Sequence, residues 1–302
     1  MFLMLNEEFS GFSKEDLNKY FFELSKELKK ELGRNANIEL IVVGGASILL
    51  NYDFRESTID VDAIVSSQTS IKNVINKVGD KYNLPNGWIN SDFKQTKSYS
   101  PELIAHSRFY KKYNQVLTIR TIDSEYLIAM KLASMRKYKN DRSDIVGIVQ
   151  ESLSTNPITI EKIDKAINQL YGGWKNLEPN AQDIIQIILK EAETGDLYKE
   201  VKAEEQNNKK MLIEFENSYE NVLKEDNLDN ILHALQTKEN SLSSGRSRLT
   251  TKENLSNMDN ISDVKKEKIR ISVKEKLYEM KEKNNEILKK SQAKEKDHEI
   301  NI

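Results

Sequence analysis

The sequence predicts an α/β (α+β) protein, with a small mixed sheet, a helical C-terminal part and a charged helical extension. Three observations carry this. Short apolar runs of strand length alternate with helical stripes in the first third of the chain. Helical periods take over after residue 124. Composition then shifts near residue 195, beyond which Lys, Glu, Asn and Ser dominate around isolated Leu and Ile. Residues 1–195 therefore read as one globular domain with a helical appendage. Residues 196–302 read as a charged, mainly helical, partly disordered extension that lacks the apolar density to share the core.

The elements follow in order. Ser13 and Asp16 form a capping pair for a helix whose stripe is Leu17, Phe21, Leu24, Leu28 and Leu32, with Gly33 to end it. "IELIVV" (38–43) is a buried strand, Gly44-Gly45 a tight turn, and "ASILLNY" a short helix. "TIDVDAIV" (58–65) is a second strand and "SIKNVINKV" (70–78) a helix with Ile71, Val74, Ile75 and Val78 on one face. After a loop containing residues 83–93, "QVLTIRT" (115–121) is a third strand. Helices follow at 124–138, capped by Ser124, then at 143–153, at 159–171, capped by Thr159, and at about 181–194, capped by Asn180. In the extension, residues 241–254 read as a flexible break, and Val273, Leu277, Met280 and Ile287 stand at coiled-coil-like spacing.

Composition narrows the function classes. The 302-residue chain has no cysteine, which excludes disulfides, thiolate metal sites and a cysteine nucleophile. With three histidines in all, a histidine-rich metal centre is not expected. A net charge of −2 gives no whole-molecule attraction to nucleic acid or acidic membrane. "MFLML" has no basic flank and runs into "NEE", which argues against a signal peptide, and no run reaches membrane-span length, so a cytoplasmic location without membrane contact is expected.

Asp60 and Asp62 are the feature that a buried strand does not explain. Alternate strand residues share a face, with Cα atoms about 6–7 Å apart. Two unpaired carboxylates there cost several kcal/mol in repulsion and lost hydration. A salt bridge, protonation or a divalent cation relieves that cost, and Mg²⁺ favours a few carboxylates together with substrate phosphates. Upstream, Gly44 and Gly45 open a helix after a strand, and backbone N–H groups at such a turn suit phosphate. Arg55, Ser57 and Thr58 precede the second strand and are candidates for phosphate contact. Ser47 is a further candidate, one residue displaced from the glycines.

"GGASILLNYDFRESTIDVDAIV" (44–65) resembles the first two motifs of the nucleotidyltransferase superfamily (the polymerase-beta-like fold), and within it the minimal bacterial branch related to AbiEii-type toxins. "LPNGWINSDF" (84–93), "SEYLIAMKLASMRKYKNDRSDI" (124–145) and "INQLYGGWKNLEPNAQDIIQIIL" (167–189) are similar to later segments of that branch. The resemblance implies a nucleotidyltransferase-type sheet, with Asp60 and Asp62 as metal ligands for Mg²⁺. It also implies Gly44, Gly45, Ser47, Arg55, Ser57, Thr58, Lys131, Asp141 and Asp144 around the nucleotide, and Asp60, Asp62 and Lys131 as the catalytic set. The implied reaction moves a nucleoside monophosphate from an NTP to an RNA or protein acceptor, either tRNA or a protein, as the toxin of a toxin-antitoxin or phage-defence system with an antitoxin partner. The third carboxylate of many members is missing from "QVLTIR". The alternative is therefore a catalytically silent scaffold that binds a partner, or a second copy of itself, through its C-terminal helices.

Lys131 stands out because it falls inside the apolar stripe of its own helix, between Leu127 and Met135. It must snorkel, pair with Asp141 and Asp144, or meet the triphosphate. If it meets the triphosphate, Lys131→Met is expected to leave stability unchanged or raised while NTP affinity falls.

Overall fold

In the computed structural model, which describes residues 10–66, 71–193, 196–224 and 227–246, the first helix forms as its caps require. In α1 (Lys14–Leu32) the Ser13 hydroxyl accepts the Asp16 N–H and the Asp16 carboxylate accepts the Ser13 N–H, both at 3.1 Å. Gly33, at φ 86°, closes the helix. Its buried stripe of Leu17, Phe21, Leu24 and Leu28 packs on one face of the sheet.

The sheet has five strands in the order β3-β2-β1-β5-β4. They are β1 (Ile38–Val42), β2 (Val61–Ser66), β3 (Ile89–Asn90), β4 (Ser107–Tyr113) and β5 (Leu117–Ile122). The central β1 runs antiparallel to β2 and parallel to β5. β3 joins β2 in parallel, and β4 joins β5 antiparallel. This mixed sheet with helices on both faces is the expected α+β class. The β1–β2 pair is the buried part. Leu40, Val42, Val61 and Ala63 point to a core shared with α1 and α3 (Lys72–Tyr82), while Ile41 and Ile64 point to the opposite core.

Two strands escape the sequence reading. β3 is only two residues long. β4, "SRFYKKY", lies on the sheet edge with Arg108, Phe109, Lys111 and Lys112 exposed, so it carries no apolar alternation to detect. It turns into β5 through Asn114 (φ 45°) and Gln115 (φ 63°), a left-handed pair suited to a tight hairpin. That turn takes Gln115 and moves the start of the third expected strand to Leu117.

The second core is helical. It is built from α4 (Ser124–Ser134), α5 (Asp141–Ser152), α6 (Ile160–Tyr171) and α7 (Ala181–Glu191), with part of α2 (Gly44–Asn51). α4 ends four residues short of the expected 138, because Met135 turns left-handed at φ 42° and its N–H closes on Lys131 O at 2.8 Å. Asp123, not Ser124, occupies the cap position, and the Ser124 hydroxyl instead meets the Tyr52 hydroxyl at 2.5 Å. Thr159 caps α6 as expected.

The chain divides into two units, Met1–Glu225 and Asp226–Ile302. The sequence reading drew its boundary at 195, but α8 (Leu197–Ser218) lies in the first unit and packs on α5. It buries Val201 together with the polar Glu205 and Asn208. The composition is charged because only one narrow face of α8 is used. In the second unit α9 spans Leu228–Arg246, so the break expected from 241 begins inside a helix. The coiled-coil-like positions 273–287 lie outside the described residues. Among the described residues no helix is long and apolar enough to cross a membrane.

Ending the chain at residue 195 is expected to lower its urea midpoint relative to a chain ended at 225. Loss of the Glu205 cap on α5 alone costs about 1 kcal/mol, and the buried face of α8 adds to it. Equal midpoints for the two chains would show that α8 contributes nothing to the domain.

Candidate functional site

The site is a corner where β1 runs into α2 beside the start of β2. Gly44 is left-handed at φ +58°, and a Cβ on it would lie 3.5 Å from Asp62 Oδ2. Glycine is needed there for the turn, and it brings bare backbone up to a carboxylate. At Gly45 a Cβ would lie 2.7 Å from an Arg55 guanidinium nitrogen and 3.0 Å from Thr58 Oγ1. Arg55 thus fills the space that a side chain would take. The first N–H groups of α2 have no intrahelical partner, and Val43 supplies no side-chain cap.

Asp60 stands one residue before β2 and Asp62 lies within it. Backbone bonds between Phe12 and Thr58, of 2.6 and 3.0 Å, hold this entry, and Thr58 Oγ1 donates to Asp60 O at 3.2 Å. Val43 N–H donates to Asp62 O at 2.9 Å, which ties the glycine turn to the aspartate strand. Since Val61 and Ala63 face the α1 core, Asp62 faces the α4–α5 side, where Lys139, Lys131 and Arg136 act on its charge. Burial, and next the Asp60 carboxylate, push Asp62 up to about 7 despite those cations. Register places Asn90 of β3 beside Asp62. Asp92 is exposed and its N–H donates to Asn90 Oδ1 at 2.9 Å, while Asp123 sits beside Arg108 at 4.0 Å and Glu125. Among the described residues no group of three or more His, Cys, Asp or Glu side chains is placed to hold a metal.

Behind this corner lies a buried ion network. Asp141 and Asp144, on the first turn of α5, are almost wholly buried. Lys131 Nζ donates to Asp141 at 2.9 Å and stands 2.8 Å from Asp144. Arg136 donates through Nε and Nη2 to Asp141 at 2.8 and 3.1 Å. Arg55 Nη1 donates to both Asp144 oxygens, at 2.6 and 2.5 Å. Burial works to raise the Asp141 carboxyl, but Lys131 and Arg136 outweigh it and hold it well below the usual range. Burial likewise works to lower Lys131, and Asp141 and Asp144 outweigh it, so the ammonium is held.

These positions refine the roles that the sequence suggested. Lys131 is in the apolar stripe, as expected, and it meets carboxylates there rather than snorkelling. Asp141 and Asp144 do not face a phosphate as free groups, because their oxygens are taken by cations of this chain. Ser47 is fully buried and its Oγ accepts the Ile122 N–H at 3.0 Å, so it ties α2 to β5 instead of lining the glycine turn. Ser57 is exposed and offers its carbonyl to Arg55 Nε at 3.1 Å. Gly44, Gly45, Arg55, Thr58, Asp60 and Asp62 are brought together.

Several contributors were not singled out from the sequence. Lys139 is one, its ammonium lowered by burial and by Arg136. Glu151 is another, accepting the N–H groups of Asp53 and Phe54 at 3.0 and 2.8 Å and so fixing the loop that carries Arg55. Phe54 packs against α5 at Gly147, where a Cβ would come within 2.5 Å of the ring. The Glu151 and Phe54 contacts join residues about a hundred apart in sequence, with no local spacing to mark them.

Residues 19–182, more than half of the chain, match the family described as nucleotidyltransferase of unknown function (DUF6036), and the chain belongs to that family. No curated protein and no solved structure matches it.

Lys131→Met is now expected to destabilise the fold by roughly 3–5 kcal/mol, the scale for leaving buried carboxylates short of a partner. Urea unfolding at neutral pH checks this, and an unchanged midpoint would mean that Arg55 and Arg136 suffice. A second expectation concerns Asp62, whose carboxyl is raised from 3.8 to about 7. The folded chain then holds this proton more tightly than the unfolded one, so its contribution to stability is full below pH 4 and is lost as pH rises toward 7. Without divalent cations, Asp62→Asn should match the parent at pH 4 and exceed it at pH 8. Parallel stability curves would contradict the raised value.

Proposed function

We propose that the chain is a Mg²⁺-dependent nucleotidyltransferase that moves a nucleoside monophosphate from an NTP to a hydroxyl on an RNA or protein acceptor. The observation that carries this reading is the juxtaposition of Asp62 Oδ2 with Gly44. A metal-ligating carboxylate and the free N–H groups of a helix start share one corner, with the Arg55 guanidinium alongside.

The residues fit a divalent cation. Burial, and after it the like charge of Asp60, raises Asp62, and a cation held by the two carboxylates would offset both costs. When bound, Mg²⁺ supplies charge neutralisation on the phosphate oxygens. Two carboxylates leave most of the octahedral shell to water and phosphate, so metal and nucleotide bind together. The N–H groups of Gly45 and Ala46 orient the phosphates at the start of α2. Arg55, pinned by Asp144, presents its remaining N–H donors at that turn without having to be ordered when substrate arrives. Arg136 and Lys139 add positive charge that acts on Asp62 and would stabilise the negative charge building up on the leaving pyrophosphate. Lys131 acts at one remove, holding the carboxylates that orient Arg55 and Arg136.

The similarity of residues 44–65 to the AbiEii-type branch supports a toxin role, with tRNA or protein as acceptor and an antitoxin as partner. A second reading is a catalytically silent scaffold. It draws on the absence, among the described residues, of a third acidic ligand near Asp60 and Asp62.

Incubation with each NTP labelled at its α-phosphate, with MgCl₂ and with or without total tRNA, separates the two readings. Label is expected to transfer with the parent and to be abolished in Asp60→Asn and Asp62→Asn, both still folded. Transfer that survives both substitutions would remove the metal role, and absence of transfer with retained Mg-NTP binding would favour the scaffold. Because Asp62 titrates near 7, Mg²⁺ affinity should drop as pH falls from 8 to 6, as protons compete for the same oxygens. A pH-independent affinity would exclude Asp62 as a ligand.

A further inference from the structure

Glu205 is a buried acid outside the matched family span, and the site as described does not use it. It lies on α8, is 2% exposed, and reaches across to the start of α5. Its Oε1 accepts the Arg142 N–H at 2.7 Å, and its Oε2 accepts the Ser143 N–H at 3.2 Å and the Ser143 hydroxyl at 2.5 Å. Asn140, at the cap position of α5, makes no side-chain cap bond, so the cap of this helix comes from 62 residues away in sequence. One turn along α8, the buried Asn208 donates to Lys137 O at 2.8 Å, in the segment that joins α4 to α5. At the head of α8 the Tyr198 hydroxyl donates to Phe54 O at 3.1 Å, next to Arg55.

The placement matters because of what sits on either side of those two N–H groups. Asp141 and Asp144 flank Arg142 and Ser143 on the same turn, and they hold Lys131, Arg136 and Arg55. Glu205 adds a third acid at this turn, and its bonds go to backbone N–H groups and the Ser143 hydroxyl rather than to those cations. It fixes the first turn of α5 from behind, so the angle at which Asp141 and Asp144 present their cations to the Gly44–Asp62 corner depends on α8.

We propose that Glu205 is a positioning residue of the nucleotide site, and that α8 is a working part of that site although it lies beyond the family span. The proposal rests on the nucleotide reading above. Glu205 does not touch substrate. It acts through the first turn of α5, with Asn208 setting the turn before it.

The test uses the full chain. Calorimetric titration with each Mg-NTP in turn identifies the tightest for the parent, and that nucleotide is carried forward. Glu205→Gln keeps the shape but sets an amide N–H₂ against backbone donors. It should weaken Mg-NTP binding by about tenfold, the scale of one lost charge-assisted hydrogen bond, at a temperature where circular dichroism shows it folded. Leu24→Ala, in the core on the opposite face of the sheet, is the control: it lowers the melting temperature and leaves affinity at the parent value. Glu205→Gln combined with Arg136→Gln should lose less than the sum of the two single losses, because the part of the Glu205 effect that passes through Asp141 to Arg136 is already gone. If Glu205→Gln does not fold, Ser143→Ala, which removes the hydroxyl bond to Glu205, and Asn208→Ala, which removes the bond to Lys137 O, are read in the same way. A folded variant that binds like the parent, or losses that add in the double variant, would overturn the role of Glu205 while leaving the nucleotide site intact. A parent that binds no Mg-NTP would overturn the nucleotide reading, and the placing of Glu205 in the site with it.

Discussion

Two carboxylates at the head of α5 constrain the rest of the site. Asp141 and Asp144 are removed from water, and a buried carboxylate left unpaired costs several kcal/mol. They are tolerable only where cations converge, and the cations come from three places: Lys131 from α4, Arg136 from the segment after it, and Arg55 from the loop before β2. Satisfying the two acids therefore sets the distance between α4 and α5 and draws the 53–58 loop onto them. Glu205 closes the same turn from the other side. The network gains little as net stabilisation. What it supplies is geometry, because the two acids are paired only where α4, the segment after it and the 53–58 loop meet.

The catalytic-looking corner is built on that support. β2 must serve two cores, and its alternation gives Val61 and Ala63 to one face while Asp62 and Ile64 take the other. Ile64 is covered by apolar neighbours. Asp62 stands nearer the end where β1 turns into α2, and there the covering groups are glycine backbone and cations rather than aliphatic side chains. A carboxylate next to backbone without Cβ atoms, with positive charge behind it, is suited to a ligand that is itself a metal–phosphate complex. Membership of a nucleotidyltransferase family of unknown function is in keeping with that corner and leaves the acceptor open.

Much of this was legible in sequence where the signal is local. The capping box of Ser13 and Asp16, the stripe of α1, the β1–Gly-Gly–α2 passage and the alternate aspartates all declare themselves within a few residues. Lys131 was conspicuous too, since a lysine inside an apolar stripe demands a partner. Its partners Asp141 and Asp144 were named with it, but as alternatives to phosphate rather than as the ligands that hold it. The misses are elements that lack a local apolar pattern. β4 has no apolar alternation because it is an edge, and β3 is too short to have any pattern. The α8 segment looked like solvated extension because its charges dominate its composition while five residues, Val201, Glu205, Asn208, Leu212 and Phe215, make its buried face.

The sequence by itself determined the class of fold, the glycine turn, the pair of aspartates and the presence of a buried cation, because each follows from backbone sterics or from one-dimensional periodicity. Only the tertiary structure decided which charge meets which, that Ser47 ties α2 to β5, that Asn90 lies beside Asp62, and that Glu205 caps a helix that begins 64 residues before it. Desolvated charges pair with whatever partner the fold brings within about 3 Å, and sequence separation has no bearing on that distance.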